Sequence, residues 1–226
     1  MTVQSSITDF WSTVAPHYES HPGNTVSADS AAYRSWVDLF RNALPADPSD
    51  VLDVCTGTGF VALICASLGH RVVGIDLSTR MLDVAKEIAA KRRIHAEFVV
   101  GDAVAPPFGP QRFDVITSRH ALWTLRDAEH ALRNWQALLR PVGCVVAMDD
   151  FRTWTPDPNS PQDRFFRSHY NEEVQAAIPF MHIKDETPLL EAFRRAGFGR
   201  TSIDAIPQSF ADDESSRPYL LVAHVG

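Results

Sequence analysis

A short glycine-containing turn follows an apolar strand in VLDVCTGTG, residues 51–59. The apolar run after the turn, FVALICASLG, is typical of a buried helix, and the backbone N–H groups at the start of such a helix face a ligand. Gly57 and Gly59 have no Cβ, so the ligand can approach the backbone closely. Asp76 ends the next strand about twenty residues later, where a carboxylate can accept hydrogen bonds from both ribose hydroxyls. The pattern predicts a site for a cofactor that contains a nucleoside.

Two cofactors compete for this turn. Residues 57–62, GTGFVA, satisfy the G-x-G-x-x-A form of the dinucleotide fingerprint. Asp53 favours a different ligand, because a carboxylate inside an apolar strand is costly to bury and would repel a pyrophosphate. S-adenosyl-L-methionine carries an ammonium and a sulfonium and tolerates that carboxylate. We therefore predict S-adenosyl-L-methionine as the cofactor and keep a nicotinamide dinucleotide as the alternative.

Five motifs resemble, in the same order, those of the class I S-adenosylmethionine-dependent methyltransferases that act on small molecules. VLDVCTGTG resembles the first family motif, and DLS at 76–78 with Met81 resembles the ribose-binding acid and the residue that packs on adenine. GDA at 101–103 resembles the segment whose acid approaches the adenine amino group. FDVITSRHALWTL (113–125) and LLRPVGCVVAMD (138–149) resemble the fourth and fifth strands with their turns. The resemblance implies cofactor binding by Asp53, Cys55, Thr56, Gly57, Thr58, Gly59, Asp76, Leu77, Met81, Gly101, Asp102, Ala103, Ser118 and Arg119.

Two positions depart from the family pattern. Cys55 and Val142 stand where the family usually has glycine. The first departure lies next to the predicted cofactor, so we expect it to alter how the methionine end is held. The ribose acid and the central glycine pair are retained.

The order of strand-like and helical patterns predicts an α/β fold. We expect strands near 51–55, 71–76, 96–100, 113–118, 143–149, 201–206 and 218–225, and helices near 59–69, 79–93, 127–139 and 188–196. The resemblance implies a Rossmann-like three-layer sandwich with a mostly parallel seven-stranded sheet whose last strand pair is antiparallel. We expect one methyltransferase domain over residues 1–226: an N-terminal helical lid (1–48), a cofactor-binding core (49–150), a substrate-cap insertion (151–185) and a C-terminal helix with strands (186–226).

Three residues are candidates for the catalytic step. His120 follows the fourth strand at the carboxyl edge of the sheet, where ligands bind in open α/β folds. We expect it to act as general base. The alternative is that it only caps the turn. Tyr18 lies in a segment that resembles the lid of small-molecule members of the family. Its alternative role is packing, with Phe10, Trp11 and Val14, on an amphipathic helix. His21, in the same segment, is a weaker candidate.

Metal binding is not expected. His17 and His21 have i,i+4 spacing, but prolines flank them and no third ligand is evident. Asp149 and Asp150 form a pair at the end of the fifth strand. In the catechol-type methyltransferases an acid at the end of the fourth strand joins such a pair, whereas here that position reads Ser118-Arg119-His120. We predict that no metal is required.

The amino-acid composition limits the kinds of partner that the protein is expected to bind. A chain of 226 residues with 45% hydrophobic content can form one large core, and the net charge of −7 argues against nucleic acid or an anionic membrane as a partner. No apolar segment approaches the roughly 18 residues that a membrane span needs. The three cysteines lie in apolar runs without metal-ligand spacing, as reduced core residues do. We expect a cytoplasmic protein, and the choice between monomer and homodimer stays open.

The sequence says least about which molecule accepts the methyl group. An aromatic helix is expected over residues 164–178. An apolar cap over a small substrate is expected from the aromatic and apolar side chains of Trp154, Phe165, Phe166, Tyr170, Phe180 and Met181. The alternative is that these side chains only pack the insertion onto the sheet. The predicted function is methyl transfer to oxygen or nitrogen of a small organic acceptor, such as a secondary metabolite or a quinone-like ring. The alternatives are a nicotinamide-dependent oxidoreductase and a protein that binds the cofactor without transferring methyl.

Overall fold

The computed structural model of the protein describes residues 2–19, 30–151, 159–211 and 215–226. The helices are α1 Val3–Tyr18, α2 Ala31–Ala43, α3 Phe60–Ser67, α4 Thr79–Arg92, α5 Ala128–Leu138, α6 Pro161–His169, α7 Glu172–Ala176 and α8 Thr187–Arg195. The strands are β1 Asp50–Val54, β2 Arg71–Asp76, β3 Glu97–Val100, β4 Phe113–Arg119, β5 Leu139–Phe151, β6 Phe198–Ala205 and β7 Arg217–Val225.

The seven strands form one sheet in the order β3-β2-β1-β4-β5-β7-β6. The first five strands of that order pair in parallel, and β7 runs antiparallel to both β5 and β6. The predicted mostly parallel sheet with an antiparallel end is therefore confirmed. All of the parallel strands end at the same edge, so the residues that follow β1, β2, β3 and β4 meet there.

Central strands carry apolar residues on both faces because helices cover both sides of the sheet. In β1, residues 51–54 are all buried, and Asp53 is the one charged residue among them. Two of the three core clusters in the described residues flank the sheet: one lies under α5 and α8, and one lies under α2, α3 and α4. This three-layer arrangement holds the carboxyl edge of the sheet rigid and leaves its turns available for a ligand.

The expected aromatic helix over residues 164–178 divides into α6 and α7. The side chain of Asn171 accepts a hydrogen bond from the backbone N–H of Val174 at 3.0 Å and caps α7, so the first helix ends just before it. Tyr170 lies at the break and is completely buried. The broken helix turns this aromatic ring inward, toward the N-terminal helix.

Helix α1 crosses the carboxyl edge and packs against α4, α6 and α7. The indole N–H of Trp11 donates to the hydroxyl of Tyr170 at 3.0 Å, and that hydroxyl also forms a 2.6 Å hydrogen bond with the hydroxyl of Thr124. The hydroxyl of Ser12 donates to that of Ser78 at 2.9 Å. These contacts place α1 as a cover over the sheet edge, whereas the division of the chain into four functional parts stays a prediction.

None of the helices in the described ranges has both the length and the hydropathy that crossing a bilayer requires.

Candidate functional site

The glycine turn between β1 and α3 has three residues with left-handed backbone. Cys55, Gly57 and Gly59 have φ angles of 51°, 54° and 83°. At Gly59 a Cβ would lie 2.9 Å from the ring of Phe98, so both the backbone and the space require glycine. Cys55 adopts the left-handed conformation that a glycine takes without strain, at a cost of roughly 1–2 kcal/mol for an L-residue.

Asp76 is held by the turn itself. Its Oδ2 accepts a 3.0 Å hydrogen bond from the backbone N–H of Gly57, and its Oδ1 accepts a 2.8 Å hydrogen bond from the backbone N–H of Ser78. Burial raises the pKa of Asp76 above its usual value, and these backbone donors act in the opposite direction. The carboxylate is therefore fixed in orientation at the end of β2.

Asp53 joins the turn to β4 from beneath. Its two carboxylate oxygens accept hydrogen bonds from the hydroxyls of Thr56, at 2.6 Å, and Thr117, at 2.7 Å. Burial raises the pKa of Asp53 to about 6, against the opposing effect of these hydroxyls and of the positive charge of Arg119. Asp53 thus fixes the turn through Thr56, and the described part of the cavity wall does not include it.

A cavity opens at the carboxyl edge between α1 and the turns that follow β1 to β4. It brings together most of the residues that the motifs predicted. Those that line it are Tyr18, Cys55, Gly57, Asp76, Leu77, Met81, Gly101, Asp102, Ala103, Arg119 and His120. Thr56, Thr58, Gly59 and Ser118 lie behind this wall, and His21 and Trp154 lie outside the described residues.

Several lining residues were missed by sequence reasoning. The first turns of α1 contribute Gln4, Ile7 and Thr8, because the helix begins at Val3, whereas the motif that drew attention to the lid begins at residue 10. Arg126 pairs with the carboxylate of Asp102 and with the side-chain oxygen of Gln4. Nothing in the sequence around Arg126 indicates that its partner is Asp102, which lies 24 positions earlier.

The guanidinium of Arg119 lies against two aromatic rings. Its central carbon is 4.2 Å from the ring centroid of Phe60 and 5.3 Å from that of Trp36. Cation–π contacts of this kind hold a cation in place. Arg119 therefore supplies a positioned positive charge to the wall of the cavity.

His120 lies beside two carboxylates. Its φ angle is 50°, and its backbone N–H donates to the carbonyl of Met148 in β5 at 2.9 Å. Its Nδ1 is 3.3 Å from Oδ2 of Asp150 and 3.9 Å from Oδ1 of Asp149. All three residues are buried, and their nearest nitrogen and oxygen atoms lie within 4.8 Å of one another. In the sequence, Ser118-Arg119-His120 stands where an acid joins such an aspartate pair in the catechol-type methyltransferases, but the contact of His120 with the pair was not predicted.

A cluster of one imidazole and two carboxylates is compatible either with proton sharing or with a bound cation. The prediction that no metal is required therefore remains a prediction.

Residues 51–143 match the family described as "methyltransferase domain". A demethylmenaquinone methyltransferase of Thermus thermophilus is 31% identical, with 76% of this chain and 74% of that protein covered. A 2-phytyl-1,4-naphtoquinone methyltransferase of Nostoc punctiforme is also 31% identical, with 71% of this chain and 73% of that protein covered. Against several other demethylmenaquinone methyltransferases the chain spans less than two thirds of their length.

The fold is similar to that of a solved phosphoethanolamine N-methyltransferase 2 of Haemonchus contortus in complex with S-adenosyl-L-methionine. The TM-score is 0.68 at 18% identity, and 95% of this chain and 57% of that chain are covered.

Proposed function

Because the chain belongs to the class I S-adenosylmethionine-dependent methyltransferases, we propose that it methylates a small aromatic acceptor with a quinone-like ring. The protein is an enzyme and S-adenosyl-L-methionine is its cofactor, as the motifs predicted. The dinucleotide alternative is thereby set aside. The acceptor class is supported by the two relatives named for naphthoquinone-type compounds.

The observation that carries the binding proposal is the pairing of Gly57 with Asp76 at the wall of the cavity. In our proposal the fixed carboxylate of Asp76 accepts the ribose hydroxyls, Met81 packs on the adenine, and Asp102 accepts its amino group. The methionine end then lies along the turn at Cys55. Arg119 has the charge to pair with the methionine carboxylate.

The acceptor side of the site is formed by α1 and the loop after β4. Trp11, Tyr18 and Thr124 line the cavity there, so one wall is aromatic and carries hydroxyl groups. Tyr170 and Phe180 are buried, which favours packing of the insertion over a role as an open cap. A flat ring with a hydroxyl group fits such a wall because the rings supply apolar contact and the hydroxyls fix orientation.

Methyl transfer is an in-line displacement. The acceptor atom forms a bond to the methyl carbon, the bond from that carbon to sulfur breaks, and S-adenosylhomocysteine leaves with the electron pair. Positioning the two reactants can supply roughly 7–11 kcal/mol, whereas a general base adds roughly 3–5 kcal/mol. We propose that His120, on the cavity wall, takes the acceptor's proton, and that the Tyr18 hydroxyl helps to orient the acceptor.

The direct test is a screen for S-adenosylhomocysteine formation with hydroquinones, phenols, amines, carboxylates and thiols. We expect the hydroxylated naphthalene and benzene rings to be turned over, and His120→Ala to lower kcat while the Kd for the cofactor stays unchanged. Turnover of amines or thiols in preference to hydroxylated rings would contradict the proposed acceptor class. Cofactor binding without product from any acceptor would favour the alternative of a binding protein.

We also propose that the reaction needs no metal ion. Turnover after treatment with a chelator is expected to equal that of the untreated enzyme. Loss of turnover that a divalent cation restores would contradict this proposal.

A further inference from the structure

We propose that Asp150 is a positioning residue that holds His120 with its proton on Nδ1, so that Nε2 is the ring nitrogen that receives the acceptor's proton. The catalytic consequence depends on the methyl transfer proposed above, whereas the position of the ring proton does not.

The backbone places the ring. The hydrogen bond from the N–H of His120 to the carbonyl of Met148 ties the turn after β4 to β5, immediately before the two aspartates. The left-handed φ of 50° at His120 ends the strand and turns the chain away from the sheet. Non-glycine residues seldom take this conformation, and they cluster at functional sites when they do. The side chain of His120 therefore lies between the cavity, which it lines, and the end of β5.

The distances identify the partner. Asp150 Oδ2 is 3.3 Å from Nδ1, close to hydrogen-bond length, whereas Asp149 Oδ1 is 3.9 Å away. Asp149 is also engaged elsewhere, because its oxygens accept from the backbone N–H groups of Trp123, at 3.4 Å, and Asp150, at 2.9 Å. This contact has the distance of an ion pair but not the geometry of a hydrogen bond. Because an ionised carboxylate only accepts hydrogen bonds, we infer that Asp150 favours the tautomer with the ring proton on Nδ1.

Burial strengthens the pair. The side chains of His120 and Asp150 are 7% and 0% exposed, and electrostatic interactions are stronger in such surroundings than in water. When Nε2 receives the proton of the acceptor hydroxyl, the oxygen or the ring carbon that it activates has an electron pair for the methyl carbon. The imidazolium that forms lies beside the carboxylate of Asp150. The same division of roles operates in histidine–aspartate pairs of other enzymes.

The first test observes the ring proton directly. The protein is labelled with ¹⁵N-histidine, and the ring nitrogens of His120 are assigned with His120→Gln and recorded at about pH 8, where histidine is ordinarily neutral. We expect the Nδ1–H form in the wild-type protein. The amide of Asp150→Asn can donate a hydrogen bond to Nδ1, so we expect this variant to shift the ring toward the Nε2–H form. Asp149→Asn is the matched control and should keep Nδ1–H.

The second test is kinetic. Asp150→Asn should lower kcat about tenfold or more, within the range of a lost general base, while the Kd for S-adenosyl-L-methionine changes by less than about twofold. A wild-type Nε2–H form, or a tautomer change in Asp149→Asn but not in Asp150→Asn, would overturn the proposal. If the tautomers are as expected but no acceptor is methylated, the proposed function fails and the histidine–aspartate pair stands.

Discussion

The backbone N–H of Gly57 and the carboxylate of Asp76 form a 3.0 Å hydrogen bond between the glycine turn and the end of the neighbouring strand. Two motifs that lie 19 residues apart are therefore one structural unit. A preorganised acceptor loses less conformational freedom on binding, and more of its interaction energy is retained as affinity.

Replacement of that carboxylate should weaken cofactor binding. Hydrogen bonds to charged groups contribute about 1.5–3 kcal/mol each, and Asp76→Ala removes the carboxylate that we propose accepts the two ribose hydroxyls. We expect the Kd for S-adenosyl-L-methionine to rise by about 100-fold or more, measured by calorimetry. Asp83→Ala, on the exposed face of α4, is the control and should bind normally. Equal affinity of Asp76→Ala and wild type would remove Asp76 from the site.

The buried carboxylate of Asp53 should make stability depend on pH. Its pKa rises from the usual 3.8 to about 6 on folding, so between these values the folded protein binds more protons than the unfolded chain. Stability is therefore lost as the pH rises from 4 to 6, by about 3 kcal/mol in total, and this cost persists at neutral pH.

Asp53→Asn carries no charge at any pH and should escape this loss. Without cofactor, its Tm relative to wild type is expected to increase between pH 4 and pH 7, as followed by calorimetry at several pH values. A Tm difference that stays constant over this range would show that Asp53 titrates normally.

A left-handed position near the start of β5 should be stabilised by a change to glycine. Val142 has a φ of 64° and its side chain is 91% exposed, so it bears the strain of a left-handed β-branched residue and buries almost nothing. Val142→Gly should gain roughly 1 kcal/mol, which corresponds to a Tm increase of about 2–4 °C for a domain of this size.

Val142→Ala is the matched control, because it removes the exposed methyl groups and keeps the Cβ. It should leave Tm within about 1 °C of wild type. A gain in Val142→Ala as large as that in Val142→Gly would mean that backbone strain is not the cause.

The hydroxyl contact between α1 and α4 should slow the exit of the cofactor. Ser12 donates to Ser78, which also caps α4 by accepting from the backbone N–H of Met81. Ser12→Ala removes a hydrogen bond worth about 0.5–1.5 kcal/mol and leaves the cap intact, so we expect cofactor dissociation to accelerate roughly twofold to tenfold in stopped-flow measurements. Ser5→Ala, whose hydroxyl bonds to Thr2 in the same segment, should dissociate as wild type does.

The strands and the cofactor edge were predictable because they depend on local patterns. An apolar run followed by glycines fixes a strand and its turn, and the ribose acid stands at the end of the next run. The left-handed angles at Cys55 and Val142 also agree with the resemblance, which expected glycine at both positions.

Relationships between distant segments could not be predicted. The pairing of His120 with Asp150 depends on one backbone hydrogen bond between neighbouring strands, and the pairing of Arg126 with Asp102 depends on where a loop folds back. The division of the aromatic helix was missed for a different reason. Asn171 lies among other polar residues, so the sequence does not distinguish it as a helix cap, and only the start of α7 directly after it shows this role.

Arg126 bridges Gln4 on α1 and Asp102, the residue that we propose binds the adenine, so one guanidinium connects the N-terminal helix to the proposed nucleoside site. We therefore expect an ordered reaction in which the cofactor binds first, the acceptor second, and S-adenosylhomocysteine leaves last. Product-inhibition kinetics would reveal this as competition between S-adenosylhomocysteine and the methyl donor alone. In many enzymes whose site is covered in this way, product release limits kcat, and we expect the same limit here.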